Sequence, residues 1–325
     1  MKSICGRLLE VDLASGKTKD FPVSEDLFRK YLGGRGLGAR LLFDVLPPRT
    51  DPFSPENVLF FMTGPLTGTN VAGSSKFVVV TKSPLTGGWC DSYSSGRISV
   101  ELKKAGYDGM VIRGKSNHPC YLRIDNRRIE IREADRLWGK DSFETEGLLK
   151  EMEKDASAGV SSIGPAGERL SKIACINSDL YRQAGRGGVG AVMGSKNLKA
   201  IVVKGGKGID LHDRKRVVDL NRNNYQRALK SPVAGEAFNI GSGITTTVKE
   251  VVEMIAEITG TTLKPEYAPQ GGRFGLRHLH LDVTKAEKGL GFKAEVLLRE
   301  GLKRYFEWRK KKGTYTGSQD LFRKG

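Results

Sequence analysis

Short apolar runs closed by glycine recur along the first two hundred residues. Met110-Val111-Ile112 runs out at Gly114, and Ile201-Val202-Val203 at Gly205. Each follows a segment of helix length that opens on a glycine-bearing entry, SGRISVELKKAGYDG from Ser95 and RGGVGAVMGSKNLK from Arg186. Upstream, FFMTGPLTGT at 60–69 and SSIGPAGE at 161–168 read as strands closing on Gly-Pro. Apolar runs of this length bounded by glycine predict buried strands. The two stretches lie 91 residues apart, so that Gly96 aligns with Gly187, Val111 with Val202 and Gly114 with Gly205. Such an offset predicts two related halves, although shared strand–turn grammar would produce a similar echo. The expected fold class is α+β, a duplicated mixed-sheet N-terminal domain followed by a smaller α/β C-terminal segment.

The C-terminal pattern is different. It predicts a strand over 236–240, then a helix over 246–258 with an apolar stripe of Val248, Val251, Val252, Ile255 and Ile258. A final amphipathic helix is predicted near 295–311. Gly241-Ser242-Gly243 reads as a tight strand-to-helix turn rather than a cofactor loop. The expected division is a domain over 1–210, a helical connection over 211–232 and a segment over 233–325.

Composition narrows the classes. With 325 residues, 38% hydrophobic and 28% charged, the chain is expected to be globular. No apolar run approaches the roughly 20 residues of a membrane span. The opening MKSICGRLLEVDLASG lacks an apolar export core, so a cytoplasmic location is expected. Cys5, Cys90, Cys120 and Cys175 are scattered, without metal or disulfide spacing. The net charge of +17 invites a nucleic-acid reading. However, residues 211–325 carry 22 basic against 13 acidic residues and the rest 32 against 24, so the excess is spread along the chain. Only LKRYFEWRKKKG is locally dense, at the spacing of a solvated helix face. No nucleic acid is expected as a partner, whereas an anionic cofactor fits.

QAGRGGVGAVMGSKNLKA, residues 183–200, holds five glycines in its first twelve positions and then turns basic and helix-like. Glycine clusters mark sharp curvature or close approach, and a glycine loop entering a helix N-terminus suits phosphate. Gly185-x-Gly187-x-x-Gly190 matches the dinucleotide fingerprint only formally, because the preceding NSDLYRQA is polar rather than a strand. Gly194-Ser195-Lys196 fails the Walker order. If the halves are duplicated, the loops at 82–96 and 178–188 face one central ligand. That ligand is expected to be roughly two-fold and anionic, given Lys76, Lys82, Arg97, Arg182 and Arg186.

Residues 1 to about 230 resemble the N-terminal domain of the tungsten-containing aldehyde ferredoxin oxidoreductases. The motifs are LLEVDLASGK, YLGGRGLGARLL, ENVLFFMTGPLTGT, VVVTKSPLTGGW, ELKKAGYDGMVIRGK, SIGPAGE and RQAGRGGVGAVMGSKNLKAIVVKG. The resemblance implies a duplicated base carrying a tungstopterin: two pterin dithiolenes around tungsten (or molybdenum), their phosphates bridged by a magnesium ion on backbone carbonyls. It implies Lys76, Tyr93 and Ser95 on one pterin, and Arg182, Gln183, Gly185 and Arg186 on the other. Lys76 stands where the family carries arginine, Tyr93 for asparagine and Ser95 for glycine. Aldehyde oxidation to carboxylic acids, with ferredoxin as partner, is implied for the parent family, and a homo-oligomer is left open. The family's cluster cysteines and acid/base residues belong to later domains, so no iron–sulfur cluster, no catalytic residue and no protein ligand to the metal are expected in this chain. Standalone catalysis is therefore not expected. From about Pro232 the text instead resembles the C-terminal end of nucleotide-sugar epimerases and dehydratases, in which an arginine at the position of Arg277 contacts the diphosphate. The competing expectation is thus a sugar-nucleotide-binding module, although the Rossmann half and the Tyr-x-x-x-Lys pair of those enzymes are absent.

Overall fold

The computed structural model describes residues 2–230, 233, 235–262 and 281–311. The chain divides into two compact units, Met1–Asn224 and Tyr225–Gly325.

In the first unit the alternation of apolar and polar positions builds two six-stranded mixed sheets. The first contains β1 (Arg7–Asp12), β2 (Lys17–Pro22), β3 (Leu59–Thr63), β4 (Lys76–Lys82), β5 (Trp89–Ser95) and β6 (Gly109–Arg113). Helices α1 (Glu25–Tyr31) and α2 (Gly34–Val45) precede β3, and α3 (Arg97–Lys104) joins β5 to β6. The second sheet contains β7 (Cys120–Asp125), β8 (Arg128–Glu133), β9 (Gly159–Ser162), β10 (Ile176–Ser178), β11 (Arg182–Ala184) and β12 (Leu198–Lys204). Its helices are α4 (Ser142–Met152), α5 (Pro165–Glu168) and α6 (Val189–Ser195).

The strand orders are β2-β1-β6-β3-β4-β5 and, read from the other edge, β8-β7-β12-β9-β10-β11. They are the same order with six added to every label. Strand directions repeat as well: β1/β6 and β7/β12 are the parallel pairs, and the remaining pairs are antiparallel. The strand–glycine–helix–strand unit β5-α3-β6 recurs as β11-α6-β12, as the 91-residue offset predicts.

Because strand side chains alternate faces, each central strand feeds two cores. Leu9, Phe61, Phe77, Val79, Met110 and Ile112 point into a shared core with Leu122, Ile124, Ile163, Ile201 and Val203 of the second half. Leu8, Phe60, Met62, Val78, Val80 and Val111 meet Leu37, Leu41 and Leu42 of α2 on the outer face. Tyr121, Val160, Ala200 and Val202 meet Leu149 of α4 on the other outer face. Burying each large side chain contributes about 1.5–3 kcal/mol. Strands β5 and β11 each form one edge of their sheet, β2 and β8 the other. The basic, helix-like run after Gly194 is in fact largely strand β12, with Lys196 and Lys199 fully buried.

The division between units falls within α7 (Arg214–Lys230). The second unit contributes α8 (Val248–Thr259), α9 (Thr284–Leu290) and α10 (Leu298–Lys311). The helix predicted from 246 starts at Val248 because Thr247 forms a capping box with Glu250: Glu250 N–H donates to the Thr247 hydroxyl at 3.1 Å and Thr247 N–H to the Glu250 carboxylate at 2.6 Å. The final helix opens at Leu298, and Arg299 makes a two-pronged pair with Glu257 of α8 at 3.0 and 2.6 Å. Residues 236–240, predicted as a strand, form none, and Glu236 N–H instead closes a turn on Val233 O at 3.1 Å. Arg277 lies outside the described residues. No helix among the described residues is long and apolar enough to cross a membrane.

Candidate functional site

The two hairpins, β4–β5 and β10–β11, occupy equivalent places in the two sheets, and the edge strands β5 and β11 lie side by side. Cross-half hydrogen bonds hold them. Arg186 N–H donates to Ser92 Oγ at 2.9 Å, and Ser83 Oγ donates to Gly187 O at 2.7 Å. The loops singled out by sequence are therefore brought together and not set on opposite faces.

On β5, Tyr93 and Ser95 share one face while Ser92 and Ser94 share the other. In the β4–β5 register Lys76 lies opposite Ser95, and Val78 opposite Tyr93. Tyr93 is half exposed, Lys76 is exposed and Ser95 partly so. On β11 and beyond, Arg182, Gln183, Gly185 and Arg186 are all exposed, whereas Ala184 is buried. Lys82 does not join this group. It closes the far end of β4, opposite Trp89, about 20 Å from Lys76 at the usual rise of a strand.

Lys76 and Tyr93 line a cleft of about 320 Å³ with Gly34, Arg35, Thr67 and Ser74. Arg35, which sequence reasoning left unassigned, enters from the start of α2 and pairs with Asp91 of β5 at 3.6 Å. The signal available for it was the Gly33-Gly34 entry: Gly33 gives no side-chain cap, and the first turn of α2 carries no acidic residue. One wall of the cleft, Val71-Ala72-Gly73, is tied to α7 through Asn221, whose Oδ1 accepts Ala72 N–H at 3.2 Å and whose Nδ2 donates to Asn70 O at 2.8 Å.

The glycines of the 183–194 loop serve a purpose other than the one expected. A side chain at Gly187 would strike Cys90 Sγ, at Gly188 the carbonyl of Lys172, at Gly190 that of Cys175, and at Gly194 that of Gly167. All seven residues of α6 are buried, and Gly190 N–H donates to Ala174 O at 3.0 Å. The reading of a helix N-terminus open to phosphate is therefore corrected: α6 begins inside the protein, and its glycines let backbone pack on backbone. Gly185 alone among the five faces open space, since a methyl group there would meet nothing nearer than Gln183 Cβ at 4.0 Å. The exposed part of the motif is Arg182 to Arg186.

The site thus offers a rim of basic side chains, one glycine open to close approach and backbone from two edge strands. This arrangement suits an extended polyanion. Of the four cysteines only Cys90 reaches it, its thiol donating to Arg186 O at 3.8 Å from beneath the seam. Burial pushes the Cys90 and Cys120 thiols up to about 11, and among the described residues no group of three or more His, Cys, Asp or Glu side chains is placed to hold a metal ion.

Residues 8–205 match the family model described as "Aldehyde ferredoxin oxidoreductase, N-terminal domain". The chain is 46% identical over 230 residues to a tungsten-containing aldehyde ferredoxin oxidoreductase of Pyrococcus horikoshii, covering 71% of this chain and 38% of the relative. A solved structure, the active site complex BamBC of benzoyl coenzyme A reductase with 1,5-dienoyl-CoA, superposes with a TM-score of 0.69 at 29% identity, over 95% of this chain and 53% of that one. A separate stretch of 75 residues is 37% identical to a UDP-glucose 4-epimerase of Mycolicibacterium smegmatis, 23% of either chain.

Proposed function

From the premise that the chain belongs to the aldehyde ferredoxin oxidoreductase family, we propose that its first unit holds a tungsten bis-pterin cofactor between its two edge strands. The observation that carries this reading is the duplicated topology, which sets β5 and β11 side by side, with exposed Lys76 of β4 opposite the end of β5 and exposed Arg182 on β11. Lys76, Tyr93 and Ser95 would hold one pterin, and Arg182, Gln183, Gly185 and Arg186 the other. Backbone carbonyls of the two loops would take a magnesium ion between the phosphates, a role that the tyrosine at 93 can fill because it uses the main chain. The open face of Gly185 fits close approach by such a phosphate, and arginine's planar fork fits two phosphate oxygens at once. When bound, the metal would supply two-electron exchange with the substrate, and the residues here would hold and orient the pterins that carry it.

The chain spans 38% of the length of the tungsten enzyme it matches. Aldehyde oxidation with transfer to ferredoxin is thus proposed for an assembly that contains the remaining parts, and cofactor holding for this chain. For the second unit we infer descent from the C-terminal end of a nucleotide-sugar epimerase. Titration with a UDP-sugar tests whether any binding survives there, the alternative being a sugar-nucleotide-binding module.

Metal analysis and pterin fluorescence on anaerobically purified protein test the main reading. Tungsten or molybdenum is expected together with pterin in the wild type, and both are expected to fall by about tenfold or more when Arg182 and Arg186 become Ala, since each guanidinium–phosphate contact contributes about 1.5–3 kcal/mol. Protein that takes up neither metal nor pterin, even when expressed with tungstate, would sink it.

A further inference from the structure

We propose that Asp179, in the β10–β11 hairpin, is a positioning residue that fixes the separation of the two strands on which the cofactor site is built. Its consequence for ligand binding rests on the cofactor reading above; the contact itself does not. Asp179 belongs to the second half of the duplicated unit, yet its Oδ2 accepts the backbone N–H of Arg97, the first residue of α3 in the first half. Helix α3 has no cap of its own, because its N-cap residue is Gly96, with φ of 124° and no side chain to accept a hydrogen bond. Gly96 is required there for room as well as for conformation. A Cβ at this point would run into the Asp179 carboxylate, and Arg182 Cδ would lie 3.5 Å away. The end of β5, the start of α3 and the start of β11 therefore meet at one carboxylate.

The hairpin is built to aim that group. Asp179 and Leu180 both take left-handed conformations, φ 45° and 66°, which for leucine is an uncommon and costly state. Hydrogen bonds hold them there: Asp179 N–H to Val160 O at 3.3 Å, Leu180 N–H to the buried Glu146 carboxylate at 2.9 Å, and Tyr181 N–H to Asp179 O at 2.8 Å. A carboxylate at a helix N-terminus satisfies an orphan donor and opposes the positive end of the dipole. Here the cap is supplied from the other half, so it also acts as a tether. A second tether, Arg186 N–H to Ser92 Oγ, lies at the opposite end of the same seam. Between these two cross-half hydrogen bonds lie Tyr93 and Ser95 on one strand and Arg182, Gln183 and Gly185 on the other. Losing the Asp179 tether leaves the hydrogen bonds across the seam at its Ser92–Arg186 end only.

The test uses the full chain and three substitutions. Asp179→Asn keeps an acceptor oxygen and tolerates the left-handed conformation, whereas Asp179→Gly keeps the conformation and removes the carboxylate. Asp141→Gly is the control, because Asp141 caps α4 within its own half. Amide hydrogen exchange is measured over 93–97 and 182–186, and the affinity for magnesium pyrophosphate by calorimetry. Asp179→Gly is expected to speed exchange in both segments and to weaken magnesium pyrophosphate by about tenfold, the size of a lost cap. Asp179→Asn is expected to stay within about threefold of wild type because it can still cap. Asp141→Gly is expected to lower the melting temperature while leaving both segments and the affinity unchanged. Unchanged exchange in Asp179→Gly, or an equal loss of affinity in Asp141→Gly, would overturn the proposal. Wild type that does not bind magnesium pyrophosphate would count against the cofactor reading instead, and the exchange arm would then decide the tether by itself.

Discussion

Lys196 is fully buried, and its ammonium donates to the carbonyls of Pro55 at 3.3 Å and Gly114 at 3.1 Å, joining the end of α6 to two loops of the first half. Burial, with the nearby Arg113 cation, lowers its pKa from 10.5 to about 8. The sign follows from which state holds the proton. Above about 10.5 both folded and unfolded chains carry a neutral amine, and the contribution of this group to stability is fully present. Between 10.5 and 8 the unfolded chain is protonated and the folded one is not, so stability falls as pH falls. Below about 8 the loss is complete, amounting to about 3 kcal/mol at 1.36 kcal/mol per unit. Replacing Lys196 by Met removes this dependence and takes the ammonium donor from the Gly114 carbonyl at every pH, whereas Pro55 O still accepts Gly114 N–H at 3.1 Å. Urea unfolding at pH 7.5 and 10.5 is expected to show the stability difference between wild type and K196M moving by about 3 kcal/mol in favour of wild type at the higher pH. A difference that does not change with pH would show that the amine is solvated. The buried pair Lys199–Glu168 answers the same problem with a counter-charge, where Lys199 also donates to Lys140 O at 2.7 Å; removing one partner of such a pair typically costs about 3–5 kcal/mol.

Helix α6 is where sequence and structure part most instructively. The apolar strands were legible because both of their faces are buried: Val78 and Val80 turn to one core, Phe77 and Val79 to the other. The duplication was legible too, since β5-α3-β6 and β11-α6-β12 keep the same offset. A glycine, however, reports that something comes close without reporting what. Gly187, Gly188, Gly190 and Gly194 approach the protein's own atoms, and Gly185 does not. Short elements such as α9, and the strand predicted over 236–240, depended on partners that a local pattern does not contain. The Asp179 tether was illegible for the same reason, since it joins residues 82 positions apart. The glycine assignment gives an expected contrast. Gly190→Ala and Gly194→Ala force a methyl onto buried carbonyls and are expected to destabilise by about 1–3 kcal/mol or more. Gly185→Ala, with a φ outside the left-handed region and open space beside it, is expected to change stability by less than about 0.5 kcal/mol while reducing pterin retention. Thermal unfolding and pterin fluorescence on the three variants check this. A large destabilisation by Gly185→Ala would return that glycine to the packing group.

At the scale of the whole molecule, the question is whether this chain can move electrons as well as hold a cofactor. An iron–sulfur cluster needs thiolates converging on one point. Cys5 precedes β1, Cys90 lies on β5, Cys120 on β7 and Cys175 just before β10. Two of the four, Cys90 and Cys120, are buried in the central core and held in the thiol form, with pKa values pushed up to about 11. Burial raises Cys5 as well, Asp108 adding to the effect. Among the described residues no metal-holding cluster of side chains occurs. A relay built on these four cysteines would require the buried pair to leave the core. Anaerobically purified chain is accordingly expected to contain no stoichiometric iron or labile sulfide. It is expected to show no aldehyde-dependent viologen reduction, even where tungsten and pterin are retained. Metal, sulfide and viologen assays on one preparation separate the cases. Tungsten with pterin but without iron supports a cofactor-holding unit that depends on other polypeptide for turnover. Stoichiometric iron together with aldehyde-dependent reduction would overturn that division of labour, because the thiols would then have to leave their buried positions to serve as ligands.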